Sequence, residues 1–328
     1  MRKEILDLLS GQKIGSKPSF SGLIHVTAAG LESEGLVFSE VHKDSERMAK
    51  AAASTFKLTG FPSAVLPLDL CVEAEALGGE IDFRENEPYE FPRIKKALFQ
   101  STKEIDVENL DIANQGRVQL ICKAIQMLKK DIGDKTVIGA WTPGPFTLLT
   151  LLVEPAKLFL EMKREADAVH DALKHLSSLL AGVAGAYRKA GADFLTVHDM
   201  GGSPAFIGPG RFEQFVLPAL KDLIANLPQP RVLSICGNTS SSMALIAQAG
   251  AEAISVDQTN DLAASRTVLK DALLFGNIDP VQTLWQGDRA QVTEAVISAE
   301  RSGADAIWPG CDLVLQTPIE NLKAMLGE

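Results

Sequence analysis

Positive charge is the first thing this sequence lacks. The 328 residues include 32 Lys and Arg against 42 Asp and Glu, a formal net charge of −10. Nucleic-acid binding needs Lys and Arg clustered to meet phosphates, and no basic run of roughly five to eight residues occurs. That class of partner is set aside. Cysteine is also scarce. Cys71, Cys122, Cys236 and Cys311 are too few for a disulfide framework in a chain of this length, and no two form a Cys-x-x-Cys pair. They read as core thiols or ligands in a reducing compartment. Long hydrophobic runs are missing too. Each apolar stretch is broken by Gly, Pro or charge before the roughly 18–20 residues that span a bilayer. The segment opening Met1-Arg2-Lys3-Glu4 is too short and too charged for a signal peptide. A cytoplasmic enzyme with no membrane partner is expected.

What is present is an ordinary globular balance, 46% hydrophobic and 23% charged, with no linker or low-complexity tract. Short β-branched or apolar runs at 22–26, 64–66, 136–140, 194–197, 232–235, 253–256, 273–275 and 306–308 are apolar on both faces, as buried parallel strands require. Helical stretches alternate with them at 46–58, 113–130, 156–190, 211–226, 241–249, 289–302 and 317–326. Gly-Ala pairs at Gly191, Gly250 and Gly303 end three of the helices and lead into strands. About eight strands joined by right-handed crossovers predict an α/β fold, a single (β/α)₈ TIM barrel over residues 1–328. An open doubly wound sheet is the other arrangement with this alternation. Residues 1–60 read as a helical and loop extension packed on the barrel.

In such a barrel the chemistry sits at the carboxyl ends of the strands. Asp69, His198 and Asp199, Cys236, Asn238, Asp257, Asn277 and Cys311 all follow predicted strands closely. Each has an ordinary structural reading: a buried Cys fills space, and an Asp after a strand caps a helix. Two thiols on one rim are harder to dismiss, because thiolates select zinc and zinc sites draw on dispersed strand ends.

The same segments carry a resemblance over about residues 35–326. Ile235-Cys236-Gly237-Asn238-Thr239, Gly276-Asn277-Ile278-Asp279-Pro280-Val281, Pro309-Gly310-Cys311 and Thr317-Pro318-Ile319-Glu320-Asn321-Leu322 are similar to blocks of the uroporphyrinogen decarboxylase-like superfamily. So are Val72-Glu73-Ala74-Glu75-Ala76-Leu77-Gly78 and Phe212 through Pro218. Within it, the chain resembles the zinc-dependent methylcobamide:coenzyme M methyltransferases. The resemblance implies transfer of a methyl group between a methylated corrinoid and a small thiol or other one-carbon carrier. It implies zinc on Cys236 and Cys311, catalytic duty for Asp69, His198 and Asp199, and cofactor contacts from Gly201, Gly202, Asn238 and Asn277. No Asp-x-His-x-x-Gly corrinoid-carrier signature occurs, so the corrinoid is expected on a partner protein.

Two departures shape the expectation. The stretch 22–30 has no Arg where the decarboxylases have an Arg-rich segment, and a porphyrinogen with eight carboxylates needs several guanidinium forks. A decarboxylase or lyase working through Asp69 is therefore the weaker alternative. Ser234 stands where the methyltransferases carry the His of a His-x-Cys zinc motif, and Ser is a poor zinc ligand. Three outcomes stay open: another rim residue such as His198, Asp199 or Asp257 completes the shell; a weaker metal site serves a different donor or acceptor; or the barrel binds a corrinoid or small ligand without turnover.

Overall fold

The computed structural model describes residues 1–107 and 110–328. Six strands form one parallel sheet in chain order: β1 (Ser63–Leu66), β2 (Val137–Pro143), β3 (Phe194–His198), β4 (Arg231–Ile235), β5 (Ala253–Val256) and β6 (Leu273–Phe275). Their residues are almost all buried, which is why they read as unbroken apolar runs rather than alternating ones. The circuit is completed by single-residue pairings. Ala306 pairs with Phe275 and Ser19 with Ile307. Phe20 N donates to Ile307 O at 3.1 Å, and Ile307 N to Pro18 O at 3.0 Å. Across the last gap Ser21 N donates to Ser63 Oγ at 3.0 Å, and His25 Nε2 lies 2.8 Å from Ser63 O. The sheet is thus a closed TIM barrel.

The opening strand expected at 22–26 is displaced to 18–20. Ile24 and Val26 are buried, but Ile24 N bonds to Asp312 Oδ1 at 2.8 Å and Leu313 N to Ile24 O at 2.9 Å, in irregular chain. Likewise 306–308 contributes isolated pairings, not a strand. Residues 1–60 are more than an extension. The helix Arg2–Leu9 puts Ile5, Leu8 and Leu9 against Phe20, Phe194, Phe275 and Trp308, closing the barrel beneath its mouth. Residues 18–21 belong to the wall. The helix Ser45–Thr59, capped by Asp44 accepting from Arg47 N at 2.8 Å, packs as an ordinary barrel helix against Gly116–Asp131.

Other helix boundaries shift by a few residues. The expected 156–190 helix is two, Pro155–Arg164 and Ala166–Ala190, parted where Glu165 leaves helical geometry at φ −138°, ψ 45°. Pro145–Leu152 went unread because it is apolar nearly all round and so has no polar face to betray its period. Gly191, Gly250 and Gly303 take the left-handed conformation expected of them, at φ 119°, 87° and 95°. Among the described residues no helix is long and apolar enough to cross a membrane.

Candidate metal centre

The register of three strands assembles the site. His198 of β3 lies beside Ser234 of β4, and Ser234 beside Ser255 of β5. Paired residues of parallel strands present their side chains to the same face, as do residues two apart along one strand. His198, Ser234 and Cys236 therefore share the inner face at the carboxyl end of the barrel. Cys311 is brought in by the chain after Ile307. Gly310 N donates to Ile278 O at 2.8 Å, and a Cβ on Gly310 would lie 2.7 Å from Gln258 Oε1 and 2.9 Å from Gln258 N. Only glycine lets the two loops approach so closely.

The result is a compact trio. Cys236 Sγ lies 3.0 Å from Cys311 Sγ and 3.8 Å from His198 Nε2. The three donor atoms all lie within 4.8 Å of one another. Both cysteines are free. Their mutual hydrogen bond holds Cys311 well below the usual thiol range against the opposing effect of burial, with His198 adding to the stabilisation. The same bond, and burial, push Cys236 up. Burial works against a charged His198, but the hydrogen bond to Cys311 and that sulfur's charge outweigh it, followed by Asp312 and Asp199, and the imidazole is raised. His198 is thus held first by the Cys311 sulfur and only second by carboxylates. Burial and the Cys311 charge push Asp312 up to about 7.

Around the trio the carboxylates and amides act mainly as scaffolding. Asp257 accepts from Gly237 N through Oδ2, and through Oδ1 from Thr259 N and Oγ1 and from Asn260 Nδ2. Asn277 Nδ2 donates to Asp257 O at 3.1 Å and Asn260 O at 2.8 Å, tying the loops after β5 and β6 together. Asn238 is exposed, and its Oδ1 accepts from Ser240 N. Asp199 Oδ1 accepts from Thr147 N at 3.1 Å, Thr147 Oγ1 at 2.5 Å and Gly202 N at 3.0 Å, so it caps the helix Pro145–Leu152. Gly201 N donates to Thr147 Oγ1 at 2.8 Å. The backbone N–H groups of Gly201 and Gly202 are thus spent on this turn.

Asp69 belongs to a different cluster. Its Oδ2 meets His42 Nδ1 at 2.8 Å and Arg117 Nη1 at 2.5 Å. Its Oδ1 accepts from Cys71 N at 2.9 Å and Arg117 Nη2 at 3.2 Å. Arg117 also bonds Glu75. Both Asp69 oxygens are committed to these partners. Sequence reading missed Arg117, which is 48 residues from its partner with nothing local to signal the pair.

Glu73 lies beside this cluster, fully buried, and neither carboxylate oxygen has a hydrogen-bond partner among the described residues. Burial pushes it up to about 8, with the charge of Asp69 adding to the effect. A folded chain that keeps this proton while the unfolded chain releases it near 4.5 loses stability as pH rises from there through about 8. Glu73→Gln is expected to gain a few kcal/mol relative to wild type between about pH 5 and pH 8. Urea unfolding at both pH values checks this; parallel pH profiles for the two proteins would count against a buried neutral Glu73.

Comparison with known proteins places this architecture. Residues 2–328 match the Uroporphyrinogen decarboxylase (URO-D) family over their whole length. The chain belongs to that family. Among URO-D relatives, the Methylcobamide:CoM methyltransferase MtbA of Methanosarcina acetivorans is 29% identical, with 99% of this chain and 96% of the relative covered. The Methylcobamide:CoM methyltransferase MtbA of Methanosarcina mazei is 30% identical, with 92% and 88% covered. A solved structure, a methyltransferase from Methanosarcina mazei, superposes with a TM-score of 0.94 at 26% identity, covering 99% of this chain and 97% of its own. Uroporphyrinogen decarboxylases match as well, at 25–26% identity over 74–88% of this chain. Within the URO-D family the chain therefore sits nearer the methyltransferases.

Proposed function

We propose that this chain is a corrinoid-dependent methyltransferase. It moves a methyl group between a methylated corrinoid protein and a small thiol or other one-carbon carrier, at a zinc site formed by Cys236, Cys311 and His198. The carrying observation is the convergence of two sulfurs and one imidazole within 4.8 Å at the barrel mouth. The donor set fits zinc, which favours thiolate and imidazole; three protein ligands leave a fourth position for substrate, the pattern of catalytic rather than structural sites. Bound zinc supplies a Lewis acid that lowers the pKa of a ligated thiol, so that a thiolate is available at neutral pH. The chain's own contribution is preparation. Cys311 is held well below the usual thiol range, Cys236 and His198 stand beside it, and Asp257, Asn260 and Asn277 fix the loops that carry the cysteines. The free thiols suit a reducing cytoplasm. The sequence holds no corrinoid-carrier signature, which supports delivery of the corrinoid by a separate protein docking over the mouth.

In this reading His198 supplies the imidazole that Ser234 lacks, from the neighbouring strand at the same register position. His198→Ala is expected to weaken zinc binding by more than the roughly 10–100-fold that loss of an outer-shell partner costs. Ser234→His alone should crowd the trio without tightening it. The double variant His198→Ser, Ser234→His should recover most of the affinity. Competition with a chromophoric chelator measures each. Wild-type zinc affinity in His198→Ala would remove His198 from the site.

A further inference from the structure

The two half-buried sulfurs at the barrel mouth stand in a geometry that suits two different bonds. Two thiolates on one tetrahedral zinc, each at about 2.3 Å, lie about 3.8 Å apart. The sulfurs of a disulfide lie about 2.05 Å apart. Cys236 Sγ and Cys311 Sγ are 3.0 Å apart, between these two spacings. Closing to a bond takes about 1 Å of combined side-chain movement, and opening to hold a metal takes about as much. The backbone on both sides is held by the framework. Gly237 N donates to Asp257, and Asn260 Nδ2 donates to Gly237 O at 3.0 Å. Gly310 N donates to Ile278 O at 2.8 Å, and Ile24 N donates to Asp312 Oδ1 at 2.8 Å. The fold thus keeps the pair opposed across 75 residues of sequence.

The other two cysteines are placed differently. Cys71 is buried, with its thiol donating to Pro92 O at 3.4 Å, and Cys122 is buried on the helix Gly116–Asp131. A small oxidant therefore meets the pair at the mouth first. With a hydroperoxide the chemistry balances in two steps. One sulfur attacks a peroxide oxygen; the O–O bond breaks, the leaving oxygen takes that thiol's proton, and a sulfenic acid remains. The second sulfur attacks the first; the S–O bond breaks, an S–S bond forms, and hydroxide leaves with the second thiol's proton as water. Each sulfur is oxidised by one electron, and one peroxide bond is reduced. Capture by a sulfur already in contact outpaces a second peroxide, which would carry the sulfenic acid on to sulfinic acid. The product offers a metal no thiolate.

We infer that Cys236 and Cys311 form a reversible oxidation site, joined by a hydroperoxide into a disulfide that shuts zinc out and opened again by a dithiol. The inference rests on the zinc reading above and gives that site a regulation. The test uses the full chain, stripped of metal with a chelator under dithiothreitol, desalted, and treated anaerobically with one equivalent of hydrogen peroxide. Free thiols titrated in denaturant are expected to fall from four to about two, the intact mass to fall by about 2 Da, and the peptide map to join Cys236 to Cys311. Zinc uptake should drop at least about ten-fold and return with dithiothreitol. Zinc-loaded protein should lose its thiols at least about ten-fold more slowly. The double variant Cys71→Ser, Cys122→Ser should behave as wild type. Cys236→Ser, which lacks the capturing sulfur, should instead gain about 32 Da as sulfinic acid on Cys311. Four thiols remaining, a bond that includes Cys71 or Cys122, or sulfinic acid in the wild type overturns the inference. A disulfide that forms equally fast in the presence of saturating zinc upholds the oxidation site and overturns the zinc reading. Full zinc binding with no disulfide under peroxide upholds the zinc reading and overturns the switch.

Discussion

Cys236→Ala and Cys311→Ala should each bring bound zinc below about one-tenth of an equivalent and abolish methyl transfer, whereas Cys71→Ala and Cys122→Ala should leave both unchanged. The contrast follows from environment. Cys71 and Cys122 are buried, which pushes them up to about 12 and about 11, with the charge of Asp69 adding to the effect at Cys71, so neither offers a thiolate. Cys236 and Cys311 lie within hydrogen-bonding distance, 3.0 Å apart, beside an imidazole, and Cys311 is held well below the usual thiol range. Removing either sulfur leaves one thiolate and one nitrogen, and neither water nor Ser restores the soft donor that selects zinc. Elemental analysis after dialysis against a weak chelator gives the stoichiometry, and far-UV circular dichroism confirms the fold. Full zinc in both variants would dismiss the site. Wild-type zinc with no demethylation of methylcobalamin by any thiol would keep the site and reject the reaction.

The second large effect belongs to stability. Arg117→Ala or Asp69→Ala is expected to cost about 3–5 kcal/mol, the range for stranding one partner of a buried ion pair. Burial by itself would raise the Asp69 carboxyl, but the charge and hydrogen bonds of Arg117 and His42 hold it well below the usual range. A depressed carboxylate contributes stability that is present above the unfolded value of 3.8 and is lost as pH falls below it. Wild-type stability should therefore fall on acidification below about pH 4, and Asp69→Asn should lack that part of the slope. Guanidinium unfolding across pH measures both. A cost under about 1 kcal/mol for Arg117→Ala would mean that water, not protein, solvates the pair.

The two cysteines were legible in the sequence because each directly follows a run that reads as a strand, and strand ends point into the mouth. The barrel was legible for the same reason: strands buried on both faces leave continuous apolar signatures. His198 was legible only as one candidate beside Asp199 and Asp257, since the link is a cross-strand register, and one sequence does not display which residue of β3 lies beside Ser234. The rim acids misled in the other direction. Asp257 and Asp199 occupy positions where ligands and caps look identical in sequence, and the structure spends both on loop hydrogen bonds. Asp69 reads as a rim acid at a strand end, and the sequence does not display the guanidinium of Arg117, from a remote helix, that pairs with it. The opening strand was misplaced because Ile24 and Val26 are buried like strand residues while their backbone bonds to irregular chain.

The barrel's closing seam also dictates when the protein can exist. Ser19 must find Ile307, and Ile24 must find Asp312 across 288 residues. During synthesis the first wall segment can meet Ser63 early, but its partner on the other side is missing until nearly the whole chain has left the ribosome, and Phe20 has no Trp308 to pack on. Strands β1 to β6 can pair as they emerge, each with the one before it. The proposed metal ligands follow the same schedule: His198 and Cys236 meet early, and Cys311 arrives only with the segment that completes the ring. A nascent or truncated chain therefore holds two of the three donors, so competence to bind metal is a property of the finished barrel alone.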